Sequence, residues 1–190
     1  MNKKFIIATL ICTLPLAGCA NLISAGREEP IQEDYGSRTV GSYVDDELIE
    51  TKAHVNLLEA REQLQGASIS VTSFNGLVLL TGQVASEEIR QQAEQIVASV
   101  RKVRRVHNEI EISGTTSSIG SANDVWLTMK TKSQLLIDET VPGHRIKVVT
   151  ENGTVYLMGL VTQSEADAAV SIVSNQGGVE KIVKIFEYID

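Results

Sequence analysis

One stretch of this chain occurs twice, and no other feature restricts its fold as strongly. Ile69, Val71, Asn75-Gly76, Val78, Leu80, Gly82 and Val84 recur seventy-seven residues later as Ile146, Val148, Asn152-Gly153, Val155, Leu157, Gly159 and Val161. A repeat of that length signals two copies of one small domain. Asn-Gly between alternating apolar runs is the strongest short-range hairpin signal, because a type I′ turn needs positive φ at both central residues. Ile69, Val71, Val78, Leu80 and Val84 fall on one strand face, as do Ile146, Val148, Val155, Leu157 and Val161.

Around each hairpin the same order of elements is predicted. A helical stretch precedes it, about 45–60 and 122–137. A second helix follows Ser86-Glu87-Glu88, with Ile89, Ala93, Ile96, Val97 and Val100 at helical spacing, and its partner opens on Thr162-Gln163-Ser164-Glu165, a capping box. A last strand closes each copy, Val106–Ile112 and Ile182–Tyr188. The fold class is therefore α+β: two αββαβ domains, each a three-stranded mixed sheet packed against two helices, with the last strand returning parallel through a helical crossover. Gly82 and Gly159, inside strands, point to a bulge or a close helix approach.

The N-terminus carries a different signal. Asn2-Lys3-Lys4 leads into Phe5–Cys12, an apolar run too short to span a bilayer but suited to a signal peptide. Leu16-Ala17-Gly18-Cys19 resembles a bacterial lipobox, so residues 1–18 read as a lipoprotein signal peptide and Cys19 as the lipidated residue, bearing acyl chains such as palmitate. Ala20 follows, where an aspartate would resemble an inner-membrane retention signal; the analogy directs the protein to the outer membrane, lipid-anchored on its periplasmic face. Residues 19–39, broken by Gly26, Pro30 and Gly36, form a tether that would extend to about 65 Å and average about 25 Å as a coil. Domains then fall at 40–113 and 122–190, joined by a linker at 114–121.

Composition excludes several functions. Loss of Lys3 and Lys4 with the signal takes the net charge from −7 to −9, which argues against nucleic acid. With Cys12 removed and Cys19 acylated, no thiol is left in the folded body. His54, His107 and His144 are scattered, with no HExxH spacing, G-x-S-x-G elbow or phosphate-binding glycine loop. We expect no catalytic residues, no metal and no cofactor.

The αββαβ unit with Asn-Gly-x-Val-x-Leu-x-Gly-x-Val at its centre resembles the BON domain, and two such units behind a lipobox resemble the dual-BON outer-membrane lipoproteins. The resemblance covers about 40–190 plus the lipobox. It implies phospholipid binding and a role in outer-membrane integrity.

Differences between the copies direct attention to one helix. Ile49, Ala53 and Leu57 match Leu127, Thr131 and Leu135, a shared core stripe. Opposite it the second copy has Val125, Trp126, Met129 and Leu136, where the first has Glu47, Leu48, Thr51 and Leu58. The second copy's helix is thus apolar on both sides and the first largely is not. With Lys130 and Lys132 beside it, this face suits an anionic phospholipid membrane: ring at headgroup level, cations toward phosphates. Packing against the other domain competes closely for the same face, and an envelope protein partner is the third occupant. In that last case the chain would be an adaptor whose only membrane contact is the lipid on Cys19. A second basic cluster, Arg101-Lys102-Val103-Arg104-Arg105, reads mainly as a helix C-terminus complementing its dipole.

Overall fold

The computed structural model describes residues 36–113 and 120–189; Cys19, the signal peptide and most of the linker lie outside the described residues. Residues 34–190 form one compact unit. The first copy comprises α1 (Val40–Glu59), β1 (Ser68–Phe74), β2 (Leu77–Val84), α2 (Glu87–Ala98), β3 (Arg105–Asn108) and β4 (Glu111–Ile112). The second comprises α3 (Gly120–Ile137), a 3₁₀ turn at Gly143–Arg145, β5 (Ile146–Glu151), β6 (Thr154–Val161), α4 (Gln163–Ser174) and β7 (Lys181–Tyr188). In each copy the hairpin strands pair antiparallel and the last strand returns parallel to the central one. The expected mixed sheets are present. The predicted strand 106–112 is split into β3 and β4, both on β2 and in one register.

Both hairpins turn on left-handed Asn-Gly pairs, with φ of +51 and +76 at Asn75-Gly76 and +47 and +73 at Asn152-Gly153. A buried aspartate from the first helix clasps each turn. Asp46 accepts from the amides of Asn75 (2.8 Å) and Gly76 (2.9 Å), and Asp124 from those of Asn152 (2.9 Å) and Gly153 (3.0 Å). Gly82 sits at φ +116, and a Cβ there would collide with the Ser68 backbone of the neighbouring strand. The close approach is thus strand to strand; of the two expectations, a bulge or a close helix approach, the helix approach does not hold at Gly82. Thr162 forms the capping box, its side chain accepting from the Glu165 amide while Glu165 accepts from the Thr162 amide at 2.8 Å.

The predicted stripes face inward: Ile49, Ala53 and Leu57, and Leu127, Thr131 and Leu135, are all buried. They close one core per domain with the inward residues of the central strands, Val78, Leu80 and Val84 in the first and Val155, Leu157 and Val161 in the second. The opposite sheet faces form a third core. Phe74, Leu77 and Leu79 meet Tyr156, Met158, Leu160 and Ile185, so the domains pack sheet back to sheet back. This explains why β2 and β6 are buried along their whole length and read as nearly continuous apolar runs.

α1 starts at Val40, five residues ahead of the expected boundary, because Thr39 caps it by accepting from the Ser42 amide at 3.1 Å. The preceding residues are already part of the body. Gly36 is buried against Arg145, and the Arg38 guanidinium lies between the Tyr43 and Phe74 rings, 3.8 and 4.0 Å from their centroids. It also pairs with Asp46 at 2.7 Å.

Candidate membrane-contact site

Sheet-to-sheet packing leaves the outward face of α3 uncovered. Val125, Trp126, Met129 and Leu136 are 56, 51, 59 and 52 % exposed, and Ile137, which sequence reasoning passed over, is 80 % exposed. The alternative in which this face packs against the other domain does not hold, because the domains meet through their sheets instead.

Of the two lysines singled out, Lys130 holds its ammonium 4.8 Å from the Trp126 ring centroid, within cation–π range. Lys132 is exposed and lines a cleft of about 260 Å³ with Arg38, Phe74, His144 and Lys147. The structure therefore brings all six predicted residues onto one helix, and the incoming chain at Arg38 enters the body beside it. Asp124, the one acidic residue within α3, is buried on the hairpin turn, so the exposed charge along this helix is lysine alone.

α1 departs from the expectation that it lacks a second apolar side. Val44, Leu48, Val55 and Leu58 are each about half exposed and recur at i, i+4, i+11 and i+14, one stripe of the helix. Position-by-position matching of the copies missed Val44 and Val55 because their counterparts, Ala122 and Ser133, are not large apolar residues. The fringe of this stripe is acidic, with Glu47 and Glu59 against Lys52, while Asp45 and Glu50 are paired with Lys102 and Lys147.

The basic run 101–105 does not sit in the last turn of α2, which ends at Ala98 and contains no base there. Two of its four cations are turned to other work. Lys102 pairs with Asp45, and Arg104 bridges to the second domain, donating to both Glu187 oxygens at 2.7 and 2.9 Å. The Arg104 hydrogen bonds hold the Glu187 carboxyl below its usual range against the effect of partial burial. Nothing in the sequence signals this link, since its partners lie eighty-three residues apart. Asn75 also donates to Glu187 (3.0 Å), and Asn152 donates to Glu111 (3.2 Å), so each hairpin asparagine reaches the last strand of the other domain.

Burial works against ionisation of Asp46. Donation from Ser73, from the Gly76 and Asn75 amides and from Arg38 outweighs it and keeps the carboxyl below the usual range. Among the described residues, no group of three His, Cys, Asp or Glu is placed to hold a metal ion. No described helix is long and apolar enough to cross a membrane.

Comparison with known proteins agrees with this architecture. A family model described as the BON domain matches residues 45–114 and 123–189. The outer membrane lipoprotein DolP of Haemophilus influenzae is 36% identical over 99% of this chain and 97% of its own length. A 21 kDa hemolysin of Actinobacillus pleuropneumoniae is 35% identical over 80% of this chain and 78% of its own. The osmotically-inducible protein Y of Escherichia coli is 27% identical over 95% of this chain and 92% of its own. With two BON domains in the fold and in the family match, and full-length likeness to an outer membrane lipoprotein, the chain belongs to the BON-domain family and, within it, to the two-domain outer-membrane lipoproteins.

Proposed function

We propose that this protein is a non-enzymatic envelope lipoprotein that binds anionic phospholipid through α3 and thereby supports outer-membrane integrity. Cys19 carries the permanent lipid anchor on the periplasmic face of the outer membrane, and α3 adds a weaker, composition-sensitive contact. The observation that carries this reading is the α3 surface itself: four large apolar side chains about half exposed, one of them the sole tryptophan, with lysines the exposed charges within the helix. An interfacial helix needs this combination, with apolar area for the acyl boundary and cations for the phosphates. Sixteen residues lie between Cys19 and Gly36, a contour of at most about 60 Å, so the anchored body can reach back to its own membrane and the second contact becomes intramolecular.

The test is vesicle binding by the chain from Ala20 onward, which keeps every residue of the folded body. Wild type is expected to bind phosphatidylglycerol-containing vesicles saturably, with a blue shift of Trp126 fluorescence from its half-exposed state. Trp126→Glu, which carries no tryptophan, should lose the binding while its circular dichroism is unchanged. Equal binding by the two, or none by wild type, would discard α3 as a lipid site and leave a protein partner as the occupant of that face.

A further inference from the structure

The turn after the second helix of each domain has the same backbone and opposite equipment. After α2 it reads Val100-Arg101-Lys102-Val103, and after α4 Gln176-Gly177-Gly178-Val179. The Val103 amide donates to the Val100 carbonyl at 3.1 Å, and the Val179 amide to the Gln176 carbonyl at 3.4 Å. The third residue is left-handed in both, φ +77 at Lys102 and +100 at Gly178.

In the first domain Val100 completes the apolar core that also holds Ala53. In the second those two positions are Gln176 and Thr131, and the Thr131 hydroxyl donates to Gln176 Oε1 at 2.8 Å. Gln176 is 6 % exposed, and its Nε2 is buried with no hydrogen-bond partner. A buried donor left unmade is costly, so an apolar pair has been exchanged for a polar one at a loss to the fold. The two cationic side chains have meanwhile become glycines. The amides of Gly177 and Gly178 have no partner among the described residues, and a Cβ on Gly177 would meet nothing within 4 Å. Bare backbone of this kind lets another molecule approach closely. Lys130 joins the turn to the α3 face, its ammonium 4.8 Å from the Trp126 centroid and 3.5 Å from the Gly177 carbonyl oxygen, a contact long enough to be given up.

We propose that this turn is a phosphate subsite, in which a phosphate oxygen of a lipid headgroup is held by the Lys130 ammonium and the free amides of Gly177-Gly178. The Gln176 carboxamide stands behind the turn with its spare donor. Trp126 and Met129 enter the apolar layer alongside. The proposal rests on the membrane reading of α3 and adds residues on a different element to it.

The experiment compares Gly177→Glu with Ser174→Glu, both in the chain from Ala20 onward. Ser174 is exposed at the end of α4, and its substitution adds the same charge three residues away. Gly177→Glu should weaken binding to phosphatidylglycerol vesicles about tenfold and Ser174→Glu less than about threefold. In the wild type, Gly177 and Gly178 amide resonances should shift with short-chain phosphatidylglycerol micelles and much less with inorganic phosphate at matched concentration. Equal losses in the two variants, or unmoved glycine amides, with Trp126→Glu still abolishing binding, would overturn the subsite and leave the α3 reading standing. Glycine shifts with inorganic phosphate alone, and no vesicle binding by wild type, would overturn both the headgroup assignment and the α3 reading.

Discussion

α1 and α3 occupy the same place in their domains, bury the same stripe, and each expose an apolar face. Exposed apolar area therefore does not distinguish them. What does is the fringe: carboxylates predominate around the stripe of α1, whereas α3 shows lysines and a tryptophan. Toward an anionic surface, the charges nearest its apolar residues would repel the first helix, whereas those of the second would draw it in. The basic clusters are divided in the same sense. The first domain has more cations near its second helix, but Lys102 and Arg104 are paired with Asp45 and Glu187. A duplicated fold has thus kept its core and separated its surfaces by charge.

The largest effect should come from reversing that fringe. Each lysine near an anionic surface contributes about 1 kcal/mol, and a glutamate in its place repels by a similar amount, so Lys130→Glu with Lys132→Glu should cost about 4 kcal/mol, several hundredfold in vesicle affinity. Raising the salt concentration should weaken wild type and strengthen this variant. Unchanged affinity would mean that α3 acts by apolar area alone, and the contrast with α1 would lose its basis.

Next in size are the aspartates that clasp the hairpins, which divide the domains by stability instead of by surface. Asp124→Ala strips two turn amides of a charged acceptor and should cost about 3 kcal/mol in urea unfolding. Asp46→Ala also leaves Arg38 and Ser73 without their acceptor and should cost about 4 kcal/mol. Because the Asp46 carboxyl is held below its ordinary value of 3.8, its contribution is complete above that pH and is lost as pH falls through the lower folded value. Asp46→Asn should accordingly be less stable at neutral pH but lose less on acidification below about pH 4. Parallel acid titrations of the two chains would contradict this.

Repetition made the secondary structure and both helix–sheet cores legible, because equivalent positions had to satisfy the same packing twice. Ile49, Ala53 and Leu57 could be read as core from their match to Leu127, Thr131 and Leu135. The clasp was also within reach: Asp46 and Asp124 stand at the same helical position ahead of matching Asn-Gly turns. The docking of the domains was not legible. Its residues, Phe74, Leu77 and Leu79 against Tyr156, Met158 and Leu160, differ between the copies because each complements the other instead of itself. The exposure of the α3 face was legible from composition and spacing, whereas that of Ile137 and the backbone of the Gly177-Gly178 turn needed coordinates.

A smaller effect, and a sharper one for the comparison, is to confer the α3 property on α1. In a Trp126→Glu background, which removes the site on α3, Glu47→Lys with Glu59→Lys turns the fringe of the Val44–Leu58 stripe positive. Vesicle binding should return weakly, about tenfold above the Trp126→Glu parent and well below wild type, since α1 has no tryptophan to settle at the interface. Failure to return, with the fold intact, would mean that the ring rather than the charge separates the two helices.

The smallest effect tests whether the cations of the first domain are committed to holding the second. Arg104 and Glu187 are 52 and 30 % exposed in their side chains, so solvent screens their attraction, and a pair of this kind contributes about 0.5–1 kcal/mol even when bidentate. The interface beneath them is apolar and does not depend on them. A double-mutant cycle of Arg104→Ala and Glu187→Ala should give a coupling in that range by urea unfolding, with affinity for phosphatidylglycerol vesicles changed less than about twofold. If Arg104→Ala instead weakened vesicle binding as much as a change at Lys130, the basic run would be in contact with the membrane after all. The two domains would then share the surface that the charge comparison assigns to one.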